Sequence, residues 1–427
     1  MGRHRAARKG PQSSPGVHTA SFRRLNWAWG ISLFGDGVRM VALPLVAALL
    51  TGSPLAVSAV AAAELIPWLL LSLFSGALVD RWESRTVLVL AHLARALLTG
   101  VLVAALLTDR ASVLVLSVLA FLLTVAETFA DAASQVLLVA VAGADDLLPA
   151  NARIRTVESL TLNLAGPLAG GALVALQPAL AFAVDGATFL LAAGLVVSLP
   201  RSTGPPVLGG APNRVSAASL LGSVREGLQT LLAVPGLRLL VSITGWTALA
   251  TGAVNAIGTL YALQVLGLPV AFVPVIFVLE ALGLLLGSRV VQRAVARRGE
   301  GPVMAGALLL VGGAYLVIGL VPRVLVVLVC YVVSGFGFAL WNVLASARRQ
   351  RLTPEGLLGR VSNASRAISW GAMPLGAIAG GVLASATSLP QVYIVGGAVV
   401  LLVALFARRA LLAAGVAIRP VVVHAPA

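Results

Sequence analysis

Twelve long apolar runs, parted by short polar joints, leave this chain one way to fold. The runs cover 25–50, 55–79, 86–107, 112–141, 156–176, 179–199, 237–263, 270–291, 302–321, 324–346, 362–384 and 391–412. A helix needs roughly 20 apolar residues to cross the ~30 Å hydrocarbon core of a bilayer, and each run is long enough. A soluble alternative fails on charge. Only 11% of the residues are charged, against roughly 25% in soluble domains, too few to solvate an exterior. The predicted class is an all-α membrane protein of twelve transmembrane helices.

The 30 basic residues outnumber the 15 acidic ones. They do not form one face or tail, so no nucleic-acid partner is expected. They sit instead at the ends of the apolar runs. The even-numbered joints hold Arg81 and Arg85, Arg153 and Arg155, Arg201 to Arg225, Arg293 to Arg298, and Arg348 to Arg360. Both tails are basic too, whereas the odd-numbered joints hold only Arg110 and Arg323. Basic loops stay on the cytoplasmic side, so both termini are expected there, as an even number of spans also requires. Lys9 is the sole lysine, a bias that suggests a GC-rich bacterial genome and hence the bacterial plasma membrane. Residues 1–21 read as a retained basic tail, not a cleaved signal.

The lone cysteine, Cys330, excludes a disulfide framework. Three of the four histidines lie in the polar tails and His92 near an interface, so no His-based metal site is predicted. The long joint 200–234 begins with Pro205, Pro206, Gly209, Gly210 and Pro212. It continues with Leu220, Leu221, Val224, Leu228, Leu231 and Leu232 at helical spacing, opposite Arg225 and Glu226. This pattern predicts an amphipathic helix on the cytoplasmic membrane face. The organisation is then a tail at 1–21, a six-helix bundle at 22–199, the linker at 200–234, a second six-helix bundle at 235–412 and a tail at 413–427. A shift of 207 residues lays Pro67 on Pro274, Gly76 on Gly283, Arg153 on Arg360 and Pro167-Leu168 on Pro374-Leu375. Each match joins span n to span n+6, which predicts two pseudo-symmetric halves, a known transporter construction.

The joint after span two reads Gly76-Ala-Leu-Val-Asp80-Arg81-Trp82-Glu83-Ser84-Arg85. Its glycine permits close helix approach, and Asp80 suits a helix N-terminus. Arg81 and Arg85 can pair with carboxylates, Glu158 among them, to form a breakable cytoplasmic latch. This motif resembles the signature loop of the major facilitator superfamily, and the resemblance covers about residues 22–412. It extends to Ser32-x-x-Gly35-Asp36-Gly37, Ala42-Leu43-Pro44, Thr51-Gly52-Ser53-Pro54, Asn151, Gly166-Pro167-x-x-Gly170-Gly171 and Gly359-Arg360-Val361. Together these look like the branch of enterobactin exporters and macrolide-efflux proteins. The resemblance implies export of a drug, siderophore or natural product by proton antiport.

An ionisable group at bilayer depth costs at least ~2.5 kcal/mol, so each needs a reason. Asp36 lies 11 residues past Leu25, ~16 Å into the membrane at 1.5 Å per residue, with Arg39 on the same face. The two read either as a proton or substrate site or as a self-neutralising pair. Glu64 and Glu280 are also near mid-depth. Glu127 and Asp131 sit one turn apart in span four, close enough to repel. Arg95 is the candidate counter-charge, and Asp185 is expected nearer the outer face as a gate residue. Gly166, Pro167, Gly170 and Gly171 in span five, and Pro374, Gly376, Gly380 and Gly381 in span eleven, suit close crossing and bending. Trp27, Trp29, Trp82 and Trp370 are expected in the interfacial belt. Phe34, Phe129, Trp246, Tyr261 and Trp341 are the candidate substrate contacts.

The predicted function is secondary transport of a small molecule, most simply proton-coupled export of a lipophilic or amphipathic compound by a monomer. No cofactor is expected: there is no Gly-x-x-x-x-Gly-Lys-[Ser/Thr], so the proton gradient is the energy source. The lack of a Gly-x-Ser-x-Gly elbow and of a His-Glu-x-x-His helix argues against an enzyme. An importer or lipid-moving carrier of the same fold, or a receptor or scaffold without flux, remains open.

Overall fold

The computed structural model describes residues 16–79, 82–143, 146–199 and 217–413. Among them, twelve helices are long and apolar enough to cross a membrane. They run Ala20–Thr51, Pro54–Val79, Ser84–Leu107, Val113–Ala142, Leu147–Leu176, Pro178–Val197, Pro235–Gln264, Val270–Arg298, Glu300–Leu320, Val324–Leu352, Leu358–Ala386 and Leu389–Ala413. Their ends follow from local chemistry. The Thr19 hydroxyl accepts from the Phe22 N–H at 3.1 Å and starts span one. Gly52, at φ 60°, ends it in a left-handed turn that feeds span two directly.

Span five begins earlier than the apolar run at 156–176. The polar stretch from Leu147 is helical because Ala150 and Ile154 bury themselves against Val17, Phe22 and Leu138. Arg153 and Arg155 therefore lie in the helix, not in a joint. A π-helical turn at Thr161–Ala165 interrupts it.

Packing follows one scheme twice. In the first half, span one packs on spans five and six, span three on four and six, and span two on four. In the second, span seven packs on eleven and twelve, span nine on ten and twelve, and span eight on ten. Every pairing recurs six helices later, as expected of duplicated halves. The single shift of 207 residues does not describe the whole relation. Pro67 lies inside the helix of span two, whereas Pro274 opens the α-helical part of span eight, after a 3-10 turn at Val270–Phe272. The stretch joining span seven to span eight pushes that register out.

Spans five and eleven carry the contacts that place the halves. Consecutive helical residues point about 100° apart, and the Gly-Gly pairs use this. A methyl group at Gly170 would meet the Val38 carbonyl oxygen at 2.6 Å, and one at Gly380 would meet the Ala253 backbone at 2.7 Å. These first glycines therefore seat each helix on span one or seven of its own half. The second glycines face the other half: Gly171 meets Pro274, and Gly381 meets Ser58. Gly166 lies against Gly37, and Gly376 against the Leu249 carbonyl, in the same intra-half crossings. The Gln264 amide donates to the Gly52 carbonyl at 3.2 Å, again between halves. All these inter-half contacts lie at the end opposite the termini. Towards the terminal end Asp131, Arg155, Ser159 and Arg366 are exposed. Gly170→Val forces a branched side chain onto a backbone oxygen that cannot move aside. It should destabilise the fold by about 1–3 kcal/mol, seen as a lower unfolding temperature in detergent. A stability equal to the parent's would contradict the close crossing.

The linker helix, Ala217–Ala233, docks on span eleven. Gly227 lies against the Arg360 carbonyl, Glu226 pairs with Arg360, and Leu231 buries among Leu237, Val241, Val361 and Ala364. Leu228 and Leu232 stay exposed. The irregular first part of the linker lies outside the described residues.

Candidate functional site

A cavity of about 440 Å³ lies between the halves, walled by spans one, two, four, five, seven, eight and eleven. Asp36, Arg39, Glu64, Glu127 and Glu280 all line it. Their helices aim them there for steric reasons. Gly35 and Gly37 let spans six and five approach span one closely, which turns Asp36 and Arg39 inward. Gly283 and Gly287 press span eight on span ten, turning Phe277, Glu280, Ala281 and Leu284 the other way.

Four of these residues join Arg95 in one network across spans one to four. Arg39 donates to Glu64 at 2.5 Å and to Glu127 at 2.6 Å, and lies 3.3 Å from Asp36. Arg95 pairs with Asp36 and lies 3.7 Å from Glu127. Its guanidinium also stacks 3.9 Å above the Phe189 ring centroid. The two guanidiniums thus serve three carboxylates, so the cluster holds one more acid than base. The alternative of a closed Asp36–Arg39 pair does not hold, because Arg39 is shared and Arg95 is the closer partner of Asp36. Arg95 is the counter-charge expected of it.

Several expected residues fall elsewhere. Asp131 does not reach Glu127. It is exposed, lining a second, 80 Å³ pocket with Ser134, His92 and Arg95 that shares Asp36, Trp68 and Glu127 with the main cavity. Asp185 is no gate: it is fully buried against Gly35, and neither carboxyl oxygen receives a hydrogen bond. His92 is not interfacial but buried, stacked on Phe189 with centroids 6.1 Å apart.

The latch is only partly visible. Asp80 and Arg81 lie outside the described residues, and Gly76 falls in the last turns of span two. Arg85 does not meet Glu158; it donates to the carbonyls of Val196 and Val197 and caps span six. Glu158 instead pairs with Arg155 at 2.8 Å, because both lie on one face of the extended span five. Of the helix-crossing residues, Pro167 follows the π turn and Pro374 lies inside span eleven.

None of the five candidate substrate contacts lines the cavity. Trp246 is 55% exposed on the outside of span seven, and Trp341 is buried in the second half's core. Tyr261 donates to the Ile318 carbonyl at 2.6 Å within a cluster of all four tyrosines. Phe34 packs on the main core and Phe129 on a smaller one. The aromatic lining comes from Trp68, Trp370 and Phe277. Trp68 and Trp370 meet across the halves with ring centroids 5.6 Å apart, so Trp370 is not a belt residue, while Trp27 and Trp82 are exposed near the terminal end. Asn163, on the π turn, and Asn255 and Thr259 add hydrogen-bonding groups.

With this geometry in view, the chain compares closely with known proteins. The sequence profile of the Major Facilitator Superfamily matches residues 28–371. The multidrug efflux pump Tap of Mycolicibacterium fortuitum is 30% identical over 371 residues, 84% of this chain and 88% of Tap. Among solved structures, the nucleoside transporter NupG superposes with a TM-score of 0.73 at 14% identity, covering 92% of this chain and 99% of that one. A bacterial homologue of the iron transporter ferroportin, in its inward-facing state, gives 0.70 at 18% identity over 90% and 97%.

Proposed function

The chain belongs to the major facilitator superfamily of transporters, and from that premise we propose that it exports a small lipophilic or amphipathic molecule in exchange for protons. The observation that carries this is the network of Asp36, Glu64 and Glu127 with Arg39 and Arg95, opening on a central cavity. One acid in excess of base, deep in the membrane, is tolerated at low cost if a proton neutralises it. A proton that leaves the cluster forces the guanidiniums to re-pair, which couples its loss to helix movement. The kinship with a multidrug efflux pump favours outward transport of such compounds.

The charge bias of the joints supports a bacterial plasma-membrane protein with both termini in the cytoplasm. On that orientation the closed end faces out and the cavity is served from the cytoplasm, where a lipophilic cargo would be collected. Asp131, in the smaller pocket towards the terminal end, suits proton release on that side. The halves then rock as two rigid bundles, and one chain suffices.

Inverted membrane vesicles test this. An inward-acid gradient should drive uptake of a fluorescent amphipathic dye, and Asp36→Asn should lose the gradient-driven component while keeping downhill exchange. Dye movement indifferent to the gradient, with Asp36→Asn as active as the parent, would exclude proton coupling at this cluster.

A further inference from the structure

Resting on that transport reading, we infer that the cargo is a lipophilic monocation and that Glu280 is its counter-ion. The cavity has two electrically different sides. On the first-half side Arg39 is the sole basic residue in the wall among the described residues, and three carboxylates already hold it. On the second-half side Glu280 stands without an ion pair among the described residues, and no basic residue of spans seven, eight or eleven lines the cavity. An anionic ligand would find no free cation here. A cationic one finds a carboxylate with no cation in place, in a site of low dielectric where such a pairing is strong enough to displace the proton that otherwise neutralises an unpaired acid.

The surroundings of Glu280 suit the apolar part of such a ligand. Phe277 lies one turn away on the same helix face, and Trp68 with Trp370 forms an aromatic wall contributed by both halves. Aromatic faces attract a cation through the ring quadrupole. Hydrogen-bonding groups are few, chiefly Asn163, Asn255 and Thr259, too few to replace the hydration of a polyhydroxyl compound. The volume of about 440 Å³ matches a drug-sized molecule. Close packing fixes Glu280 in place, since its carbonyl lies against Gly335 of span ten.

Binding of rhodamine 6G to the purified protein in lipid nanodiscs, read by fluorescence anisotropy, tests the inference. Two ions of one shape and opposite charge give the first arm on the unaltered protein. Tetraphenylphosphonium should displace the dye, and tetraphenylborate should not. Glu280→Gln should weaken dye binding by about tenfold or more, Glu280→Asp should retain most of it, and the uncharged probe N-phenyl-1-naphthylamine should bind both variants as it binds the parent. Equal displacement by the two tetraphenyl ions, or unchanged dye affinity in a folded Glu280→Gln protein, overturns the inference. Failure of the transport reading looks different: dye binds in a Glu280-dependent way, yet vesicles move none of it in either direction, and the cation site then stands without the pump.

Discussion

Arg39→Ala should cost the protein its transport and a large share of its stability. The side chain is buried and donates to Glu64 at 2.5 Å and Glu127 at 2.6 Å while holding Asp36 at 3.3 Å. Its removal leaves Arg95 alone against three carboxylates drawn from three helices. Breaking a buried ion pair by deleting one partner costs about 3–5 kcal/mol, because the other charge stays behind unpaired. That is a large share of the roughly 5–15 kcal/mol that holds a folded protein together. The expected result is poor accumulation in the membrane and early aggregation on size-exclusion chromatography.

The mechanism of that loss is charge, not packing, and a second substitution separates the two. Adding Glu64→Gln and Glu127→Gln to Arg39→Ala leaves Arg95 opposite Asp36, a balanced pair. This triple variant should recover its folding and its unfolding temperature but not the gradient-driven transport proposed above, since the excess acid has gone. Glu64→Gln alone removes the excess negative charge and leaves an amide oxygen to accept from Arg39, so it should fold normally. A single Arg39→Ala protein as stable as the parent would mean that the guanidinium is not the hub of the cluster.

The fold was written plainly in the chain because one cost dominates it. Twenty or so apolar residues between short polar joints have no cheaper arrangement than a spanning helix. The charged residues were legible for the same reason: Asp36, Glu64, Glu127 and Glu280 are too costly to face lipid, and all four line the cavity. Which of them pair was not legible, since that depends on how far each helix turns about its axis. Glu127 and Asp131 share a helix face, yet the first joins the network and the second faces the terminal end. The aromatic lining was missed because a tryptophan is equally at home against lipid, core or cavity. Position relative to the charges carried the missing signal. Trp68 lies one turn beyond Glu64, Met40 one turn beyond Asp36, and Phe277 one turn before Glu280, all on cavity faces. Asp185 shows the limit of depth alone, for its burial follows from Gly35, which has no side chain to keep span six away.

A disulfide between spans two and eleven should stop transport altogether and reversibly. Ser58 and Gly381 meet at the closed end of the cavity, in opposite halves. A Cβ atom at position 381 would stand 2.8 Å from the Ser58 Cβ. A disulfide spans about 3.5–4.5 Å between Cβ atoms, so a relaxation of about 1 Å accommodates one. The chain has one native cysteine, the buried Cys330, and Cys330→Ala supplies a clean background. Oxidising the Ser58→Cys, Gly381→Cys protein in that background fixes the halves at the end opposite the termini. Alternating access requires those halves to part there, so dye movement in vesicles should fall to background and return on reduction. The single variants, oxidised in parallel, should keep moving dye, because they crowd the contact without tying it. Binding in the cavity should survive the cross-link, since neither Ser58 nor Gly381 lines it. If fully cross-linked protein transports as fast as reduced protein, the contact between Ser58 and Gly381 is a permanent joint and the opening of the cavity lies elsewhere.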